Sequence, residues 1–247
     1  MKITAAAILA LCAPSLAFGL VGNDWRFDRA PADGLSDITF PFNIGKAPHK
    51  SGYYFAQQFN FHNVAEVGYT GLQPREDKQG NSIVHAAFSS FQGGTTTKHP
   101  NCYQGADGGP GVSCAVDIKG NYTHNYNLVV KNTRGTTWRG TLVDKVTRVS
   151  TVVGEWTLPA GAGKLVNGQV GFVEYYTWNG QPSHTCDSLP YTRAIFYNPT
   201  SNTKGASGGK VTRVYEYGDC VGKVDYSAVQ KSKRFDIKVG FRKPKTA

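Results

Sequence analysis

Residues 53–61 read YYFAQQFNF. Alternation at period two places Tyr53, Phe55, Gln57, Phe59 and Phe61 on one side, the pattern of a half-buried β-strand. The same reading applies outward from this stretch. Ser82 to Phe91, Tyr126 to Lys131, Thr136 to Val143 and Gly171 to Trp178 all show runs rich in aromatic and β-branched residues. So do Thr192 to Tyr197, Lys210 to Tyr217 and Arg234 to Phe241, with Gly, Asn, Pro and Asp between them. Helical periodicity is hard to find after residue 17, and 29 glycines suit many tight turns. The expectation is an all-β fold, an antiparallel β-sandwich of jelly-roll or concanavalin-like type. Residues 51–247 are expected to form a single domain, with 18–50 as an N-terminal arm or first strand. Gln92 to Gly111 and Asn198 to Gly209 read as long surface loops.

Residues 1–17, MKITAAAILALCAPSLA, have the organisation of a cleaved export signal. Lys2 supplies the positive start, Ile3 to Leu11 the apolar core, and Ser15-Leu16-Ala17 the small residues before cleavage. The apolar run is far short of the roughly 20 residues needed to span a bilayer. The expected location is secreted and extracellular, or periplasmic in a Gram-negative bacterium. Removal of Cys12 leaves Cys102, Cys114, Cys186 and Cys220, an even count that favours two disulfides in an exported chain. Sequence order favours Cys102–Cys114 and Cys186–Cys220. The zinc alternative lacks any C-x-x-C pair and any histidine spaced as a ligand beside these cysteines.

The net charge of +10 gathers late, in Lys231, Lys233, Arg234, Lys238, Arg242, Lys243 and Lys245. A basic exported protein meets acidic polysaccharides, phospholipid headgroups or wall polymers, and the compartment argues against nucleic acid. A plainer reading stands beside this one. Phe235, Ile237, Val239 and Phe241 alternate with Asp236, Lys238, Gly240 and Arg242, as in one strand with a wet face.

Carboxylates are scarce, 17 in all, and Glu155 and Glu174 lie in strand-like contexts. A pair at suitable separation hydrolyses a glycosidic bond, and burial beside Trp156 or Tyr175 raises a carboxyl pKa. Alternatively both face outward or partner buried arginines such as Arg193. His85 reads as a strand histidine satisfied by a neighbour. There is no G-x-S-x-G elbow, no H-E-x-x-H helix and no cofactor motif, so neither metal nor cofactor is expected. Asn121-Tyr122-Thr123 is a formal N-glycosylation triplet. The segment Glu174-Tyr175-Tyr176-Thr177-Trp178-Asn179 should expose at least one aromatic on the polar face of its strand, a platform for stacking on sugar. Core packing is the alternative.

Several segments follow one another in a familiar order: 53–59, 67–73 (VGYTGLQ), 87–91, 108–114 (GGPGVSC), 154–156, 171–175 and 193–198 (RAIFYN). Over about residues 50–220 the chain resembles the secreted domain-of-unknown-function family 3472 of bacteria and fungi. The resemblance implies a lectin-like or glucanase-like β-sandwich in contact with glycans, with Gln73, Glu174 and Arg193 at family-like site positions. The chain departs from the family at Pro110, in a small glycine-rich loop that tends to carry an acidic residue.

Together these readings lead to an expected secreted carbohydrate-binding protein. Tyr175, Tyr176 and Trp178 would stack on a polysaccharide or glycoconjugate, and Gln73, Glu174 and Arg193 would supply hydrogen bonds. Two alternatives are a polysaccharide hydrolase or lyase using Glu155 or Glu174, and a toxin or elicitor acting on an anionic membrane surface.

Overall fold

The computed structural model describes residues 19–179, 181 and 183–243. The expected leader, 1–17, and the last basic residue, Lys245, lie outside them. The strands in chain order are β1 (Gly19–Arg26), β2 (Asp37–Asn43), β3 (Tyr53–Phe59), β4 (Gly68–Pro74) and β5 (Ile83–Ser90). They continue as β6 (Cys102–Ala106), β7 (Gly109–Lys119), β8 (Tyr126–Arg134), β9 (Thr137–Asp144) and β10 (Ser150–Thr157). The last five are β11 (Gly168–Tyr175), β12 (Thr192–Tyr197), β13 (Lys210–Glu216), β14 (Ser227–Lys231) and β15 (Arg234–Val239). They form an eight-stranded sheet, β13-β1-β11-β3-β4-β5-β7-β6, and a seven-stranded sheet, β10-β9-β8-β2-β12-β15-β14. Neighbours pair antiparallel throughout. The fold is the expected antiparallel β-sandwich. No helix among the described residues is long and apolar enough to cross a membrane.

Alternation decides which side chains meet between the sheets. Tyr53, Phe55 and Phe59 of β3 and Val84, Ala86 and Phe88 of β5 point inward. From the other sheet Phe40 and Phe42 of β2, Leu128 of β8, Trp138 of β9 and Trp156 of β10 meet them. Trp156 stacks on Phe88 with centroids 4.6 Å apart, and Phe61 packs on Trp138 at 4.8 Å. Such ring pairs add about 0.5–1.5 kcal/mol each beyond the area they bury. Gln57 is the polar exception on the inward face of β3, and its Nε2 donates to Asn23 Oδ1 at 3.0 Å. Gly140 and Gly154 are paired neighbours on β9 and β10. Phe88 fills the space a side chain would need at Gly140, and the Cys102–Cys114 disulfide fills it at Gly154.

Cys102–Cys114 and Cys186–Cys220 are the two disulfides, in the sequential pairing. Elsewhere the expected element boundaries change. Of the expected arm, residues 19–50 supply two interior strands, β1 between β13 and β11, and β2 between β8 and β12. This happens because Trp25, Ile38, Phe40 and Phe42 are needed to cover the core. The expected loop 92–111 is half strand: β6 and the start of β7 form a hairpin across Asp107-Gly108. The loop 198–209 is a loop, pinned where Asp37 accepts hydrogen bonds from Ser201 Oγ, Asn202 N and Thr203 Oγ1. The strand expected over 171–178 stops at Tyr175, and a single 3-10 turn, Tyr176–Trp178, follows.

Placing a branched side chain at Gly154 would force the sheets apart over the disulfide. Gly154→Val should therefore cost about 1–3 kcal/mol of stability, read as a lower denaturation midpoint with both disulfides intact. An unchanged midpoint would mean that the close approach carries no load.

Candidate functional site

The outward face of the eight-stranded sheet follows from the same alternation. One row across it, in register, contains Gly22, Phe172, Ala56, Gly71, Ala87 and Ala115. Apart from Phe172 the residues there are small and leave a trough, and Phe172 and bulkier side chains in the flanking rows wall it. The result is an open groove of about 870 Å³. The Tyr54 ring lies over Gly71, where a Cβ would collide with it. It meets Tyr69 and Phe172 edge-on at 5.2 and 5.6 Å. The Tyr54 hydroxyl is buried and has no hydrogen-bond partner among the described residues.

Glu174, at the end of β11, is the buried carboxyl of this groove, 8% exposed. It pairs across the sheet with Tyr54. Continuing the β3–β4 register from Phe55↔Leu72 brings Gln73 next in the row, and Gln73 pairs with His85. Burial pushes the Glu174 pKa above the ordinary glutamate value, and the Asp107 charge adds to the rise. One hydrogen bond opposes it: Asn179 Nδ2 donates to Oε1 at 2.6 Å. The 3-10 turn makes this contact possible by folding the chain back after Tyr175. Its ends are held by Tyr176 N donating to Gly52 O and Asn179 N to Tyr176 O.

Gln73 is oriented from the other side. Arg75 Nη2 donates to Gln73 Oε1 at 2.7 Å, and Nη1 donates to the Tyr176 hydroxyl at 3.2 Å. A guanidinium only donates, so the Gln73 oxygen must face Arg75 and its Nε2 group is left for the groove. At the far end Tyr69 donates its hydroxyl to Asp107, 3.1 and 3.2 Å from the two carboxylate oxygens. Burial drives the Tyr69 pKa far upward, so it stays a donor.

The structure thus brings Gln73, Glu174 and Tyr176 into one groove. Other residues singled out from sequence lie elsewhere. Arg193 is on β12 of the seven-stranded sheet, where its Nε and Nη2 grip Asp236. Glu155 is on β10 of that sheet, bound to Arg139 at 2.8 Å. Glu155 and Glu174 sit in opposite sheets and make no catalytic pair. Trp178 is buried and stacks on His184 at 4.4 Å, while Tyr175 packs between Tyr53 and Trp178. The stacking platform therefore does not form; of the three aromatics only Tyr176 reaches the groove. His85 bonds Asp117 at 2.7 Å, satisfied by its neighbour. Of the late basic residues, Lys231, Arg234 and Lys238 lie on β14 and β15, with Arg234 over the Tyr197 ring and Lys231 near Asp236.

Tyr54, Tyr69, Arg75, Asp107 and Asn179 escaped the sequence reading. Asp107 carried a usable signal, since Asp-Gly between alternating runs marks a hairpin turn. It brings an acid to the glycine-rich loop, three residues before Pro110. For a metal, His184, Cys186, Asp219 and Cys220 place one ligand atom each within 4.8 Å of the others. The two sulfurs are joined in the Cys186–Cys220 disulfide, so the cluster offers no thiolate.

No family model matches the chain, and no curated protein matches it. Among solved structures, two crystal structures of scytalido-glutamic peptidase with transition-state-analogue inhibitors resemble it. Both share 11% identity over 90% of this chain and 98% of theirs, with TM-scores of 0.47 and 0.48. SCP-B, a member of the Eqolisin family of peptidases in complex with the tripeptide Ala-Ile-His, shares 10% identity over the same spans, with a TM-score of 0.44. The expectation of a carbohydrate-binding protein is corrected by the geometry of the site itself. Trp178 and Tyr175 pack inward so that no aromatic platform forms, and Glu155 and Glu174 lie in opposite sheets. At such identity and TM-score the likeness transfers no activity to this chain.

The raised Glu174 pKa has a consequence for stability. In acid, below the ordinary glutamate pKa, the buried carboxyl carries no ionisation penalty; above its raised value it carries the whole of it. Stability relative to Glu174→Gln should be highest in acid and be lost as pH rises. Urea melts of both proteins at acid and neutral pH check this, and a difference independent of pH would refute burial as the dominant cause.

Proposed function

We propose that the protein is a hydrolase that cleaves amide bonds of an extended polypeptide lying in this groove. The observation that carries the reading is Glu174: a buried carboxyl, held by Asn179, at the wall of an open groove. The raised pKa brings such a group nearer to the pH at which it exchanges protons efficiently. Among the described residues the groove lining offers no Ser, Cys, His or Lys, and the reading takes water as the nucleophile. It also holds amide and hydroxyl groups for a polypeptide backbone, and rings at Tyr54, Tyr69, Phe91 and Phe172 for side chains.

In this mechanism the Glu174 carboxylate takes a proton from water as the oxygen attacks the substrate carbonyl carbon. The carbonyl π electrons move to its oxygen, and Gln73 Nε2 donates a hydrogen bond to the oxyanion. The carboxyl proton then passes to the departing nitrogen, the C–N bond breaks, and an acid and an amine leave. Arg75 positions Gln73, and Asn179 positions Glu174. Export belongs to the same proposal: two disulfides suit an oxidising compartment.

Cleavage of a peptide panel in ¹⁸O water, followed by mass spectrometry, tests this reading. The parent should yield new carboxyl groups carrying one label. Glu174→Gln should lower kcat by about 10³-fold and Gln73→Ala by about 10²-fold, both with parent-like melting. Activity should fall as pH drops through the Glu174 pKa. Asn179→Ala should shift that limb to higher pH, because it removes a bond favouring the carboxylate. A folded parent that cleaves nothing between pH 3 and 8, or a fully active Glu174→Gln, defeats the proposal.

A further inference from the structure

Arg75 has more donors than the protein uses. Its backbone N–H donates to the Tyr122 hydroxyl at 2.9 Å, and that buried hydroxyl donates to Ile83 O at 2.7 Å. The residue is thus anchored just past the end of β4, and its half-buried side chain reaches the groove. Nη1 donates to Pro74 O at 3.0 Å and to the Tyr176 hydroxyl, and Nη2 donates to Gln73 Oε1. All three acceptors are neutral. Nε–H and the second Nη2–H have no protein acceptor among the described residues.

Three strand arginines behave differently. Arg139 grips Glu155, Arg213 grips Asp24, and Arg193 holds Asp236 through the Nε and Nη2 pair. Arg75 has no carboxylate within ion-pair distance among the described residues. Glu76 feels its charge, but the Glu76 carboxylate is turned to Ser51, accepting from its N and Oγ at 3.2 Å. His85 is also within reach of that charge and is engaged with Asp117. Arg75 is the one cation among the described residues that line the groove; the acids there are Glu66, Asp107 and Glu174. Tyr69 of β4, bonded to Asp107, and Arg75, just past the end of that strand, lie six residues apart, about 20 Å at the rise of a strand.

We propose that Arg75 is a carboxylate subsite, receiving an acidic side chain or the chain-terminal carboxylate of the peptide in the groove. The Nε and Nη2 donors match the two oxygens of a carboxylate, as Arg193 shows within this chain. The Tyr122, Pro74 and Tyr176 contacts hold the fork in place before the ligand arrives, which lowers the ordering cost of binding. The groove then has a polarity: the substrate's anionic end lies by Gln73 and its cationic end by Asp107. The inference rests on the polypeptide reading of the groove but not on catalysis.

Calorimetry on Glu174→Gln protein, which does not consume its ligand, tests it with three peptides of one sequence. One carries an aspartyl side chain and a terminal amide, one asparaginyl and a free terminal carboxylate, and one asparaginyl and a terminal amide. At least one carboxylate peptide should bind about 10-fold or more tighter than the neutral one, and which one does identifies the source. Arg75→Met should bring that ratio to about one, while Arg75→Lys keeps part of it. The ratio cancels any effect of losing the Gln73 contact, because all three peptides share it. Equal binding of the three, no binding by any, or a preference that survives Arg75→Met overturns the subsite. A parent without hydrolytic activity defeats the hydrolase reading alone, because the binding ratio does not depend on turnover.

Discussion

Period-two alternation in β3, β4 and β11 is the constraint on which the rest depends. Once Tyr53, Phe55 and Phe59 are committed to the space between the sheets, Tyr54, Ala56 and Gln58 must face outward. A slip of one residue would put Glu174 and Gln73 into the core and turn Phe55 and Leu72 to water. The aromatic interior therefore selects the register, and the register lines up the groove side chains. The trough forms for a related reason. Gly71 and Ala56 in adjacent strands leave room for the Tyr54 ring to lie down between Tyr69 and Phe172.

The outward face is an unusual setting for a buried carboxyl. Glu174 is surrounded by rings rather than by cations, and the donor it accepts from is the neutral side-chain amide of Asn179. An ion pair would have pulled its pKa down, as Arg193 does for Asp236. The two acids thus illustrate opposite fates on the two sheets. Asp236 is locked in a structural pair, whereas Glu174 keeps a proton equilibrium available for chemistry. Arg75, a short way along the groove, spends its donors on neutral oxygens and leaves the Glu174 carboxyl unpaired.

Much of the architecture was legible before any coordinates. The alternation in 126–131, 136–143, 192–197 and 234–241 appears as β8, β9, β12 and β15, because buried strands must repeat every second residue. β1, β2 and β6 were less visible. Glycine, aspartate and proline interrupt their apolar residues, as in GLVGNDWR and DITFPFN. In the site, Glu174 stood out as a carboxylate inside a strand-like run, while Gln73 came only from the family resemblance. Arg193 came from that resemblance too and belongs to the other sheet, since a strand's sequence says nothing of which sheet it joins.

Composition and periodicity by themselves determined the all-β class and the inward faces of the regular strands, while chain order only favoured the sequential disulfide pairing that the structure shows. The tertiary structure alone decided that β11 pairs with β3 while β12 joins β2, which separates Glu174 from Glu155 and Arg193. It also decided that the strand ends at Tyr175, so that Trp178 turns inward and Asn179 returns to Glu174. The physical reason is common to both. Alternation is a local property of consecutive residues, but pairing partners and chain reversals are set by long-range packing, where the burial of an indole or the fit of a ring over glycine outweighs local preference.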